Sequence, residues 1–195
     1  MQYPKIAPQI KNGTELFHDG AVSFPFSILD FWRWSVSDLV SNATRGILAE
    51  FIVATALEIP LVSIRDEWAA WDLTTNDGIT VEVKSAAYIQ SWDQKDLSKI
   101  LFDIKKKRLL DPFDKNQDNS SRRHADVYVF ALLAHQDQAT IDPMDVSQWQ
   151  FYVVSTKVLD ARERSQHSIT LPSLEKLCSP LPYKSIKTAI EDSIC

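Results

Sequence analysis

The sequence predicts an α/β fold with a central mixed β-sheet and helices on both of its faces. Three observations predict it. Two continuous apolar runs rich in β-formers, at 125–135 and 149–155, read as buried strands. The stretch 71–90, WDLTTNDGITVEVKSAAYIQ, reads as two short strands joined by a turn. Helical periodicity precedes that hairpin at about 38–57 and returns after the last strand at about 156–164. The resulting order is helix, strand, hairpin, strand, loop, strand, loop, strand, helix, which suits a mixed sheet covered by helices.

At 195 residues, 45% hydrophobic and 24% charged, the chain is long and apolar enough for one substantial core. Six tryptophans argue against disorder. One domain is expected over 1–195, with an N-terminal aromatic arm at 1–36, a core at 37–155 and C-terminal helical elements at 156–195. The net charge of −5 gives no global signature of a nucleic-acid binder. A local basic patch, or cations held by acidic residues, can still attract phosphate. Cys178 and Cys195 form neither a disulfide framework nor a metal-ligand spacing. The N-terminal residues lack an apolar signal core, and no apolar run reaches membrane-spanning length. The expected location is a reducing cytoplasm, with no membrane partner.

Residues 1–37 are expected to be irregular, because Pro4, Pro8 and Pro25 interrupt any long helix. Phe24, Phe26, Phe31, Trp32 and Trp34 make this arm strongly aromatic. It either packs over the core or serves as a dimer contact or a wedge facing DNA. In the helix at 38–57, Ser35 or Ser37 can act as N-cap, with Asp38 in the first turn. Leu39, Ala43, Ile47, Phe51 and Ala54 fall at three- and four-residue spacing and form the expected apolar stripe. Glu50 lies beside that stripe, where an isolated carboxylate is costly to desolvate. It either reaches water at the stripe's edge or points into a polar site holding a cation. Arg45 is too far round the helix to pair with it. Pro60 ends the helix, and 61–64 reads as a strand.

In the hairpin, Asp72 lies on the first strand, and Asn76, Asp77 and Gly78 supply the turn. Gly78 suits a positive φ. Strand residues two apart share a face, so Ile79, Val81 and Val83 point one way and Thr80, Glu82 and Lys84 the other. Ile100, Phe102 and Ile104 alternate with Leu101, Asp103 and Lys105, which predicts a further strand or a short helix. Lys105, Lys106, Lys107 and Arg108 form a dense basic run that, with Arg122 and Arg123, can contact phosphates. Residues 111–123, with Pro112, are expected to form a loop long enough to suggest function or mobility. Short helical pieces are expected around 173–177 and 183–194.

Glu50, Asp72, Glu82 and Lys84 together define the chemistry. Carboxylates without histidine or cysteine are hard oxygen ligands suited to Mg²⁺ or Mn²⁺. Lys84 beside Glu82 can position or deprotonate an attacking water and stabilise charge on the attacked phosphorus. The constellation fits phosphodiester hydrolysis. Competing chemistries find no support. His18, His135 and His167 form no cluster, and His124 reads as structural. The four glycines form no phosphate-binding loop, and no nucleophile elbow is present.

A helix bearing Glu50, then Asp72, then Glu82, Val83 and Lys84 on a hairpin, resembles the PD-(D/E)xK superfamily of restriction-endonuclease-like nucleases. The resemblance covers roughly 37–155 by element order and rests on those motif residues. It implies a three-layer α/β/α fold around the central mixed sheet. It implies a Mg²⁺-dependent nuclease acting on nucleic acid, usually DNA, in restriction, repair or recombination. It assigns Asp72, Glu82 and the Val83 carbonyl to the metal, Lys84 to catalysis and Glu50 to the acidic helix position. Trp71 stands where the motif name has proline. Tyr88 and Gln90 are similar to the aromatic and glutamine residues of exonuclease-like members without matching their order and spacing. They are candidate substrate contacts, together with Lys105, Lys106 and Lys107. A homodimer would supply two sites for cutting both strands. The alternatives are a charged ladder on a solvated sheet face and a non-catalytic nucleic-acid-binding or assembly module.

Overall fold

The computed structural model describes residues 3, 6–62, 64–108 and 120–194. Most of the loop expected at 111–123, including Pro112, therefore lies outside the described residues. The central sheet has the strand order β3-β4-β6-β7, formed by Leu73–Thr74, Thr80–Ala87, Val127–Leu133 and Trp149–Ser155. β3 and β7 run antiparallel to their neighbours, whereas β4 and β6 are parallel. The sheet is mixed, as expected. All seven residues of β6 are buried, because strands flank both its edges and both faces are covered. That double burial is why the segment is apolar without alternation. Gly78 carries φ +84° in the turn before β4, a backbone region that costs a residue with a Cβ.

One face of the sheet packs against α2 (Asn42–Ala56) and α5 (Ile186–Ile194). Ala49, Ile52, Val53 and Ile190 meet Val81, Val83, Val129 and Phe151 there. The other face carries Tyr128, Phe130 and Tyr152. It is covered by Phe102 of β5 (Leu101–Asp103), Leu159 of α3 (Thr156–Asp160), Ile169 of β8 (Ser168–Thr170) and Leu174 of α4 (Leu171–Leu174). β5 alternates as expected, with Ile100, Phe102 and Ile104 buried, but it pairs with β8 outside the central sheet. β8 was not anticipated: three residues are too few to show a period. This layer is a small sheet with short helices, not the full helical layer expected.

Three expectations fail. The apolar stripe of α2 is not the one read from the sequence: Ile47 and Phe51 are 47% and 52% exposed. The buried face runs through Arg45, Ala49, Ile52, Val53 and Ala54. Apolar residues surround most of this helix, so periodicity cannot choose between faces. Small Ala49 and Val53 let the helix approach the sheet closely. The helix also starts later than expected, with Ser41 as N-cap, because Asp38 Oδ1 accepts from the Val40 and Ser41 N–H groups and holds a turn ahead of it.

The second failure is the strand at 61–64. Leu61 and Val62 lie in a turn, Ile64 is irregular and Ser63 lies outside the described residues. The third is the N-terminal arm, which is structured. β1 (Leu16–Asp19) and β2 (Val22–Ser27) form a hairpin that leads into α1 (Ile28–Val36). Ser27 and Asp30 close a capping box at the start of α1. Pro25 is tolerated because a two-stranded hairpin is all edge. The unit packs on itself, with the Phe26 ring 5.4 Å from Phe17 and 5.3 Å from Phe24. None of α1 is buried, and Trp34 is 85% exposed, so this unit does not bury itself on the core. Among the described residues no helix is long and apolar enough to cross a membrane.

Candidate active site

The hairpin of β3 and β4 positions the acidic residues. Leu73 pairs with Val81, and the same register one residue back sets Asp72 across from Glu82. The Asp72 N–H donates to the Val81 carbonyl at 3.1 Å, continuing the ladder past the end of β3. Its side chain then replaces a strand carbonyl: Oδ2 accepts from the Val83 N–H at 2.7 Å. Asp72 is thus fixed by two backbone contacts to the strand that carries Glu82.

Glu82 is only 4% exposed, which removes the solvated-ladder reading. It lies on the face of β4 that meets the β5 and β8 layer, next to Tyr128 on β6. Its Oε1 accepts from Lys84 Nζ at 2.5 Å and from Lys107 Nζ at 3.0 Å. Burial opposes ionisation of this carboxyl. The two ammonium groups together outweigh burial and hold the Glu82 pKa below its ordinary value. Asp72 behaves oppositely. Burial, then the negative charge of Glu82, pushes it up to about 6. Glu50 adds to the rise, while the Val83 N–H and Lys84 oppose it. Burial and the Glu82 charge also push the Tyr128 hydroxyl well above its usual range.

Glu50 does not stand free in water, nor does it point bare into the site. Arg65 grips it with both ends of its fork: Nη2 donates to Oε1 at 2.8 Å and Nε donates to Oε2. Glu50, Arg65 and Asp72 line one cleft of about 510 Å³, together with the exposed Ile47 and Phe51 of α2. The second apolar stripe of α2 therefore forms the wall of a cleft. Among the described residues no three His, Cys, Asp or Glu side chains converge into a metal cage.

Of Lys105, Lys106 and Lys107, only Lys107 bonds to the acidic pair among the described residues. Lys105 pairs with Asp103 at 3.5 Å, and Lys106 with Asp160 at 3.3 Å. Arg123 is buried and structural: Nε donates to the Ile104 carbonyl at 3.0 Å, and Nη1 binds Gln166 Oε1 at 2.9 Å and Asp160. His124 is structural as expected, its Nε2 lying 2.9 Å from the Lys107 carbonyl. Tyr88 packs half-buried beside the second core cluster, and its carbonyl accepts from Ser98 N at 2.9 Å. Gln90 is tied into its own loop, with Nε2 donating to the Ala87 carbonyl at 2.8 Å and Oε1 accepting from Arg45 at 3.3 Å. It nevertheless lines a second cleft, of about 400 Å³, that includes Lys84 and Arg45.

Sequence reasoning missed Arg65 and Arg45. Arg65 stood in a visible charged cluster after the helix, but its bond to Glu50 spans fifteen positions through a turn no periodicity reveals. Helical spacing excludes Arg45 as a partner for Glu50 and says nothing of its other contacts. The structure agrees, for Arg45 faces Ser85 and Gln90 instead.

The family model for Bacteriophage T4 endonuclease IV matches residues 29–172, which is 144 of the 195 residues. No curated protein and no solved structure matches the chain. The matched span contains Glu50, Asp72, Glu82, Lys84 and Lys107 and all four strands of the central sheet. With so much of the chain matched, and Asp72 and Glu82 inside it, the protein belongs to the bacteriophage T4 endonuclease IV family and is a nuclease.

Proposed function

We propose that this nuclease is a metal-dependent endonuclease hydrolysing phosphodiester bonds of DNA, with a site of the PD-(D/E)xK kind. The observation that carries the reading is half-buried Asp72 across from buried Glu82 on facing strand positions, with Lys84 on Glu82.

The residues fit Mg²⁺ or Mn²⁺. The donors are oxygens, and Mg²⁺ commonly needs only one or two carboxylates. Asp72 Oδ1 and Glu82 Oε2 accept no hydrogen bond from a described residue, so each carboxylate keeps one free oxygen. The Val83 carbonyl leaves β4 on the same edge as its N–H, which is the Asp72 edge. The raised Asp72 pKa marks negative charge crowded in a half-buried place, the condition a cation relieves. Glu50, gripped by Arg65, contributes charge at longer range and not a free ligand.

A divalent cation held by Asp72, Glu82 and the Val83 carbonyl would polarise the phosphodiester and acidify a water. The chain's own residues do the rest. Glu82 orients the Lys84 ammonium through their shared proton. Lys84 Nζ holds that proton beside the attacked phosphate and stabilises the charge that develops on it. Lys107 keeps Glu82 ionised when Lys84 turns towards substrate. Arg65 limits how far Glu50 suppresses ionisation of Asp72.

The test is cleavage of plasmid and single-stranded DNA with Mg²⁺ or Mn²⁺, by wild type and Lys84→Ala. Removing the ammonium is expected to lower turnover by roughly 10²–10⁴. Undiminished cleavage removes Lys84 from the mechanism. Calorimetry that finds no cation binding, or binding unaltered in Glu82→Ala, counts against the metal site. DNA binding without cleavage, unchanged in Glu82→Ala, identifies a binding module on this fold instead.

A further inference from the structure

We propose that the cleft over the open edge of β4 is a phosphate subsite. There Arg45, with Lys99 lining the same cleft, holds a phosphodiester of the nucleic acid next to the one cleaved. The inference rests on the nuclease reading and adds a residue and a position to it.

Arg45 carries the argument. It is 3% exposed, yet among the described residues no carboxylate pairs with it. Two other arginines that bridge distant parts of the chain each hold an acid: Arg65 grips Glu50, and Arg123 grips Asp160. All acceptors of Arg45 are neutral. Nε donates to Ser85 Oγ at 3.3 Å, Nη1 to the Val40 carbonyl at 2.8 Å and to Gln90 Oε1 at 3.3 Å, and Nη2 to Asn42 Oδ1 at 2.5 Å. A guanidinium has five N–H donors, so one on Nη2 is left over. Burial alone accounts for the lowering of its pKa, with no opposing carboxylate. A buried cation without a counter-charge is costly. The four neutral acceptors hold its plane rigidly. An anion entering the cleft would relieve the unpaired charge.

The surroundings suit that anion. β3 pairs only with Thr80 and Val81, so β4 from Lys84 to Ala87 has an open edge on that side. The cleft of about 400 Å³ lies over this edge, lined by Asn42, Arg45, Lys84 and Lys99. Asp103 also lines it, and Lys105 at 3.5 Å offsets its charge. The cleft includes the start of α2, where the N-cap Ser41 makes no side-chain bond to the first-turn N–H groups. Those groups and the helix dipole favour a phosphate. Lys84 lines this cleft as well as Arg45, so the subsite adjoins the reacting centre.

The test is a methylphosphonate scan. A DNA oligonucleotide is prepared with one phosphate at a time made neutral. Its binding is measured with Ca²⁺ in place of Mg²⁺, and its cleavage position is mapped with Mg²⁺. Wild type is expected to lose roughly tenfold or more in affinity at one phosphate adjacent to the cleaved bond. In Arg45→Gln that penalty disappears while penalties at other positions persist, a pattern that general loosening of the fold would not produce. Should Arg45→Gln fail to fold, the exposed Lys99→Gln provides the same comparison, with a reduced penalty at the same phosphate. Profiles in the folded variants identical to that of a DNA-cutting wild type overturn the subsite and leave the nuclease reading standing. A wild type that neither binds nor cuts DNA overturns both.

Discussion

Replacing Asp72 by asparagine should make the metal-free protein more stable near neutral pH. Asp72 titrates at about 6 in the folded protein against an ordinary value of 3.8. Because the folded value is the higher one, the folded state favours the protonated side chain. Asp72 therefore costs little below pH 3.8; its cost grows as pH rises from 3.8 to about 6 and is complete above that. The shift of about two pH units corresponds to a ceiling of about 3 kcal/mol. Water reaches a half-buried carboxylate, so about 1.5 kcal/mol is the working figure. The substitution isolates the charge, because the asparagine side chain keeps an oxygen to accept the Val83 N–H. For a chain of this length the gain is a rise in Tm of about 4 °C. Thermal unfolding of both proteins in EDTA at pH 7.5 and pH 4.5 measures it. The gain should be full at pH 7.5 and cut to roughly a third to a half of that at pH 4.5. Adding Mg²⁺ should then stabilise wild type more than the variant and narrow the gap. A variant that is less stable than wild type at pH 7.5, or equally stabilised at both pH values, refutes the crowding of charge at Asp72.

Arg65→Ala should leave Glu50 unneutralised and raise the Asp72 pKa further, moving the acid limb of the cleavage profile up by roughly half a pH unit. An unmoved limb would show that Glu50 and Asp72 are not coupled through this cleft. Arg123→Met should cost about 2 kcal/mol in urea unfolding, because the Ile104 carbonyl and Asp160 lose a buried donor. Cleavage per folded molecule should stay unchanged, and a selective loss of cleavage would return Arg123 to the phosphate-contact role expected from sequence.

The central sheet was legible because its strands are buried on both faces or on one. Continuous apolar residues at β6 and β7 and the alternation from Thr80 to Lys84 in β4 leave little choice of structure. The hairpin and its turn at Gly78 were legible, whereas the register that sets Asp72 across from Glu82 comes from the structure. What escaped was whatever depends on choosing among equivalent surfaces. α2 is apolar on more than one side, and only the sheet's position decides that Ala49 and Val53 go inward while Ile47 and Phe51 line a cleft. The N-terminal arm escaped for a different reason. Its proline suggested irregularity, but a two-stranded hairpin has no interior strand for proline to break.

Charge shows the same division between pattern and place. The net charge of −5 gives no global signature of a nucleic-acid binder, yet four cations lie at the acidic residues or in the clefts beside them. Lys84 and Lys107 hold Glu82, Arg65 holds Glu50, and Arg45 waits without a carboxylate in the adjoining cleft. Sequence composition averages these over the surface, whereas the fold gathers them into two clefts and onto the acidic pair between. Asp72 is the exception in this arrangement: no described cation bonds to it, and its carboxylate is held by a single backbone N–H. Its ionisation is therefore set by its neighbours' charges and by burial, and so by whatever cation or phosphate enters the site. The acid that is least supported by the chain is the one most responsive to a ligand, which makes Asp72 the group through which pH and metal should act on this nuclease.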